Sequence, residues 1–179
     1  MASAFAHALS AYAIGKVFPK VLMRKSVLAL GILSAVMPDA DVIGFNYGIP
    51  YEHVLGHRGI THSIFFAVVW ASLLLLIFHR RDLKKDKNVL FAYYFIATVS
   101  HGLLDGLTNG GEGVAYFAPF MNERMFLPWE LIKVSPLSIK RFFSEWGLKV
   151  IMREMIWIGI PSMILIAVGY YTNKFKADA

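Results

Sequence analysis

Residues Ile60 to Phe78, ITHSIFFAVVWASLLLLIF, form a 19-residue run without a formally charged side chain. At ~1.5 Å per residue, a helix of that length reaches across the ~30 Å hydrocarbon core of a bilayer, so the run reads as a transmembrane helix. Working outward, Val89 to Leu107 (VLFAYYFIATVSHGLLDGL) is equally long but carries His101 and Asp105 in its last two turns. Met155 to Tyr171 (MIWIGIPSMILIAVGYY) is a third spanning segment, in which Pro161 predicts a kink. Ser26 to Met37, 12 residues before Pro38, and the small-residue stretch Ala2 to Phe18 around His7 read as short spans, half-spans or bundle helices. The expectation is an all-α integral membrane bundle of about five spanning or partly spanning helices, one domain over residues 1–179. Residues 108–150, with Gly110, Gly111, Gly113 and three prolines, read as a long non-cytoplasmic loop with short interfacial helices. Trp129, Trp146, Phe142 and Phe143 suit the membrane interface there.

The composition agrees. The chain is 57% hydrophobic and 17% charged over 179 residues, with a mean hydropathy of +0.55, whereas soluble domains carry about 25% charged residues. That excludes an ordinary soluble domain, and the long apolar runs exclude disorder. There is no cysteine, which removes disulfide frameworks, thiolate nucleophiles and cysteine-ligated zinc, so any metal must be held by His, Asp or Glu. No basic residue precedes the first apolar stretch, which therefore reads as a retained helix rather than a cleavable signal.

A net charge of +6 would point to nucleic acid in a soluble protein; here its placement decides. Lys16, Lys20, Arg24 and Lys25 lie between the first two helices, Arg80, Arg81, Lys84, Lys85 and Lys87 between the third and fourth, and Lys174 and Lys176 after the fifth. These connectors hold eleven of the 18 basic residues and only Asp82, Asp86 and Asp178 among the acids. They are expected in the cytoplasm, with the first residues outside and the C-terminus inside. The excess is topological, and no nucleic-acid partner is expected.

With that orientation, the polar residues near the membrane fall at one depth, on the outer side. His7 is near the outer end of the first helix, Asp39 and Asp41 follow the second, His57, Arg58 and His62 open the third, and His101 and Asp105 close the fourth. Singly each has a plain reading: an i, i+4 hydrogen-bonded pair for His101 and Asp105, an Asx-type turn for Pro38-Asp39-Ala40-Asp41, a satisfied core histidine for His7. Together, four segments deliver seven nitrogen or oxygen ligands to one end of a bundle, which scattered core residues have no reason to do. Mixed His and Asp ligation suits Zn²⁺, Mn²⁺ or Fe²⁺, and two ions are the usual arrangement for phosphoester cleavage. Asp39 or Asp41 is then a bridging ligand or base. Arg58 is placed either for a substrate phosphate or for a salt bridge to Asp39 or Asp41. Arg58, Glu112 and Arg124 are the candidate substrate contacts. His79 abuts Arg80 at the other end and is excluded; His53 stays open.

Pro38-Asp39-x-Asp41, Gly56-His57-Arg58-Gly59-x-Thr61-His62-Ser63 and Ser100-His101-x-x-x-Asp105-x-Leu107-Thr108 resemble the signature blocks of the bacterial inner-membrane, metal-dependent hydrolases of the YdjM type. The resemblance covers roughly residues 1–120 with the motifs in order, and Pro128-Trp129 and Ser135-Pro136 look like a subgroup of the same family. It implies an all-α fold whose metal-site pattern is similar to the zinc-dependent phospholipases C and P1-type nucleases. The seven residues above are then the candidate ligands, while the depth of the site, beside an outer loop whose Trp129, Trp146, Phe142 and Phe143 suit headgroups, points to a phospholipid or lipid-linked phosphoester as substrate, a carboxyl ester or amide being the alternative. Where some relatives have a further His, this chain has Val42, and where some follow Leu-Thr with Pro it has Asn109-Gly110-Gly111; Glu112 is the candidate replacement ligand. From another class, a membrane protein with a structural or sensory metal, or an ion or lipid transporter, fits the same residues. The apolar inner halves of the helices argue against a continuous path.

Overall fold

The computed structural model describes residues 1–80, 86–136 and 139–178, without the side chains of Ile139 and residues 175–178. Of the basic connectors, Arg81, Asp82, Lys84 and Lys85, and the side chains of Lys176 and Asp178, lie outside what is described. The described residues are helical without a strand: α1 (Ala4–Val17), α2 (Lys25–Val36), α3 (Ile64–Phe78), α4 (Lys87–Gly106), α5 (Ile139–Phe142), α6 (Glu145–Glu154) and α7 (Ile160–Asp178).

α4 packs against α1, α2 and α3, and α7 lies along α1. Small residues permit the close approach: Ala11 on α1, Ala35 on α2 and Ala97 on α4 form one buried cluster. At Gly31 any side chain would collide with the Tyr93 phenol, whose hydroxyl donates to the Ala11 carbonyl at 3.2 Å. Val27, Leu74, Leu75, Leu90, Tyr93 and Tyr94 fill the other end of the bundle. There Asn173 of α7 donates to the Lys16 and Phe18 carbonyls and accepts from the Lys20 amide. The α1–α2 connector, the start of α4 and the end of α7 thus share one end, and the Asp and His motifs the opposite one.

Among the described residues, three helical stretches are long and apolar enough to cross a membrane: Lys25–Tyr47, Lys87–Gly106 and Glu145–Lys174. The run that decided the fold is shortened. Ser63 caps α3 by accepting from the Phe66 amide, Ile60–His62 form a separate 3₁₀ turn, and α3 keeps 15 residues, fewer than the ~20 a span needs. Conversely, α2 does not stop at Pro38, because a 3₁₀ helix, Met37–Tyr47, takes the proline in its first turn and continues to Gly48 at φ +73°. The last helix is continuous through Pro161. A π turn, Met155–Gly159, precedes it, with the Ile160 amide donating to the Met155 carbonyl, and joins α6 to α7 in one 30-residue helix.

The segment after α4 is not an open loop. It returns over the end of the bundle through paired backbone contacts: Val114 with Met125, Ala115 to Arg58, Leu127 to Gly106 and Ile132 to Leu107. Gly106 leaves room for the Tyr116 ring, and Tyr116 donates to the Gly102 carbonyl at 3.0 Å.

Candidate metal centre

Asp39 and Asp41 sit in the first turns of the 3₁₀ helix. At three residues per turn, positions two apart diverge by ~120° around the axis, so the two carboxylates meet different partners. Asp41 is enclosed by donors: it accepts from His57 Nδ1 at 2.7 Å, the Arg58 amide at 3.1 Å and the Thr61 hydroxyl at 2.6 Å, with His62 Nδ1 at 3.2 Å. Asp39 has no hydrogen-bond partner on either oxygen, while Oδ1 lies 3.4 Å from His101 Nε2 and 3.7 Å from His62 Nε2.

On α4, His101 and Asp105 share the inward face, both with no exposed surface. His101 Nδ1 donates to the Ala35 carbonyl at 2.7 Å, which fixes the tautomer and leaves an Nε2 lone pair pointing into the site. His62 is oriented likewise by Asp41 through Nδ1, and its Nε2 lies 2.9 Å from His101 Nε2. With His62 protonated on both nitrogens this contact is a hydrogen bond to His101; with both rings neutral the two Nε2 lone pairs face one ion position. Asp39, His62, His101 and Asp105 converge so that one ligand atom of each lies within 4.8 Å of the others; Asp41, His57 and His62 form a second such group. The first set fits a divalent cation: four buried nitrogen and oxygen donors, with neither Asp39 oxygen accepting a hydrogen bond and Asp105 Oδ2 held by Arg58 Nε at 3.1 Å.

His7 is brought to the same place but joins neither group. It stacks on His101 at 3.8 Å, its Nε2 lies 3.4 Å from Asp105 Oδ1, and neither ring nitrogen has a hydrogen-bond partner. Arg58 departs from the expected phosphate contact. Its guanidinium is buried, with Nε 3.1 Å from Asp105 Oδ2 and the terminal nitrogens donating to the Thr108 hydroxyl and Gly110 carbonyl. Its salt-bridge partner is Asp105, not Asp39 or Asp41. The backbone at Arg58 has φ +60°, a conformation that costs a non-glycine residue ~1–3 kcal/mol and so needs such anchoring. Arg124 also faces inward, donating to the His57 and Tyr51 carbonyls at 2.8 and 2.6 Å with Tyr51 beneath its guanidinium; it holds the His57 loop. Glu112 is exposed at the rim and lies outside both convergent groups. His53 is exposed, its Nδ1 accepting from the Leu55 amide. His79 is buried against Tyr94, far from the centre.

Sequence reasoning assigned no role to Thr61, which donates to Asp41 beside His62 Nδ1, or to Thr108, which holds Arg58. Both lay inside the quoted motifs. Nor was Glu154 noticed, which accepts from the Ser3 amide and hydroxyl and ties α6 to the start of α1; a glutamate directly before an apolar span was the available signal. Burial pushes the Tyr116 phenol up to about 12, aided by the Asp105 charge, so it stays a neutral donor over α4.

A family model described as the YdjM inner membrane protein matches residues 1–175. The chain belongs to this family. Inner membrane protein YbcI of Escherichia coli (strain K12) is a 35% identical relative, over 97% of this chain and all of its own length. This YdjM-family inner membrane protein therefore carries a buried His and Asp cluster able to hold a metal ion. No solved structure matches it, so the likeness to phospholipases C and P1-type nucleases rests on the motif pattern alone.

Proposed function

We propose that this protein is a metal-dependent hydrolase embedded in the bacterial inner membrane, acting on a phosphoester of a phospholipid or lipid-linked phosphate. The observation that carries the reading is the convergence of Asp39, His62, His101 and Asp105 in a buried site where neither Asp39 oxygen accepts a hydrogen bond. The ion is Zn²⁺ in the first instance, Mn²⁺ or Fe²⁺ being the alternatives. Where two or more ions were expected, the geometry favours one. His62 belongs to both groups, and its Nδ1 is committed to Asp41, so serving a second ion would require an imidazolate.

When bound, a divalent ion supplies Lewis-acid polarisation of a phosphoryl oxygen and lowers the pKa of a water toward ~7. The chain's own groups do the rest. Asp41 and Ala35 orient the two imidazoles, and Arg58 compensates the Asp105 charge. Of the three carboxylates Asp39 has the most exposed side chain, at 10%, and its Oδ2, buried and accepting no hydrogen bond, would take a proton from the attacking molecule. The basic end of the bundle supports a cytoplasmic C-terminus, with the N-terminus and the site on the other side.

The test is metal analysis of purified protein, then hydrolysis of phospholipid and phosphodiester substrates with and without chelator. Chelator-sensitive turnover lost in Asp39→Asn is the expected result. The burial of His62, His101 and Asp105 favours a second reading, a structural or sensory metal, which stoichiometric metal without turnover on any ester would select.

A further inference from the structure

The site end of the bundle carries a second feature that the metal chemistry does not use. Between α6 and the segment that returns over the site lies a cleft of about 400 Å³. Its floor is Ile132, Met152 and Ile156, and Lys133, Lys149 and Arg153 stand around it with Glu130 as the one acid. Lys149 and Arg153, one helical turn apart and exposed, have no side-chain partner among the described residues; Lys133 lies over the Trp146 ring at 4.0 Å.

Seven basic residues fall outside the basic connectors. Arg58 and Arg124 are engaged inside the protein, and three of the other five converge on this cleft. An excess of lysine at the opposite end is explained by membrane orientation; cations gathered at this end are not. Depth adds a second argument. The Glu145–Lys174 helix has 30 residues, a length of about 45 Å against a hydrocarbon core of ~30 Å. With its apolar C-terminal part in the core, α6 stands at headgroup level, its cations above Met152 and Ile156.

We propose that this cleft binds one anionic phospholipid, its phosphate held by Lys149, Arg153 and Lys133 and the upper acyl chain resting on the exposed Met152 and Ile156, with buried Ile132 behind them. A soluble anion has no use for the apolar floor, and a zwitterionic lipid none for three cations around one acid. The inference does not depend on hydrolysis. The back wall is nevertheless shared with the metal centre, since Ile132 bridges to Thr108, which holds Arg58.

The experiment is native mass spectrometry of the full-length protein in detergent, titrated with dioleoyl phosphatidylglycerol or phosphatidylcholine. Phosphatidylglycerol should be retained over phosphatidylcholine, and the double variant K149Q/R153Q should retain one fewer copy. Its affinity at that site should fall roughly fivefold for each cation removed, about 25-fold in all, with metal content unchanged. The charge-keeping variant K149R/R153K should bind as the parent does. Equal retention of both lipids, an unchanged count in K149Q/R153Q, or displacement by glycerol phosphate alone would overturn the proposal. Because no turnover is measured, these outcomes leave the hydrolase reading to its own test.

Discussion

The two ends of this bundle are built on opposite principles. At the basic end, Val27, Leu74, Leu75, Leu90, Tyr93 and Tyr94 fill the space between helices with apolar and aromatic surface. At the other end the same helices turn Asp39, His62, His101 and Asp105 inward, and leave several of their polar atoms without a protein partner. Burying unsatisfied carboxylate and imidazole atoms costs several kcal/mol in a low-dielectric interior. The apolar end stabilises the bundle by itself, whereas the site end gains stability from a cation that offsets this cost. Such a contrast is what a site able to hold a metal ion would show.

The largest effect expected from breaking this contrast is at His101. His101→Ala removes a ligand and the Ala35 contact together, and metal analysis should show bound ion lost altogether; ion retained at the parental level would remove His101 from the centre. Next is Arg58→Ala, which strips buried Asp105 of its guanidinium partner, leaving the Met1 α-amine as a neighbouring charge, and should lower the stability of the metal-free protein by about 3–5 kcal/mol. Thermal unfolding with and without added Zn²⁺ measures it, and the loss should shrink when the ion is present. Leu74→Ala, at the other end, should cost about 2–5 kcal/mol by leaving a cavity, yet leave metal content at the parental level. A change in metal content there would show that the two ends are not independent. The smallest effect belongs to Thr61→Val, which deletes the hydroxyl on Asp41 beside His62 and should weaken metal affinity about 10–100-fold by freeing the imidazole it helps orient; competition with a chelator of known affinity reads this directly.

The same contrast explains what could be read from the sequence. The apolar end is encoded by runs of like residues: α3 falls inside the run that composition picks out, and α4 and α7 overlap most of theirs. The site residues could be gathered because His and Asp are rare in such runs and sat at equivalent ends of consecutive helices. What escaped were the roles given by backbone geometry. Asp39 and Asp41 look equivalent two residues apart, and only the tight 3₁₀ turn separates a free carboxylate from an enclosed one. Arg58 looked available for a phosphate because a charge in a glycine-flanked loop gives no sign of being folded inward. Nor did a segment with Gly110, Gly111 and Gly113 announce that it would close over the site, since its backbone bonds to Arg58, Gly106 and Leu107 depend on where α4 ends.

The π turn at Met155–Gly159 has a consequence for how the chain tolerates change. It holds one residue more than an α turn needs, and one residue is ~100° of rotation around a helix. The face of α6 is fixed by Glu154 against Ser3, and that of α7 by its packing on α1. These two demands are out of phase along a single helix, and the extra residue reconciles them. A deletion of one residue in this turn would therefore behave unlike a deletion elsewhere in an apolar helix. It would give a more regular helix whose halves could no longer both dock, so the irregularity is what lets one element serve two neighbours.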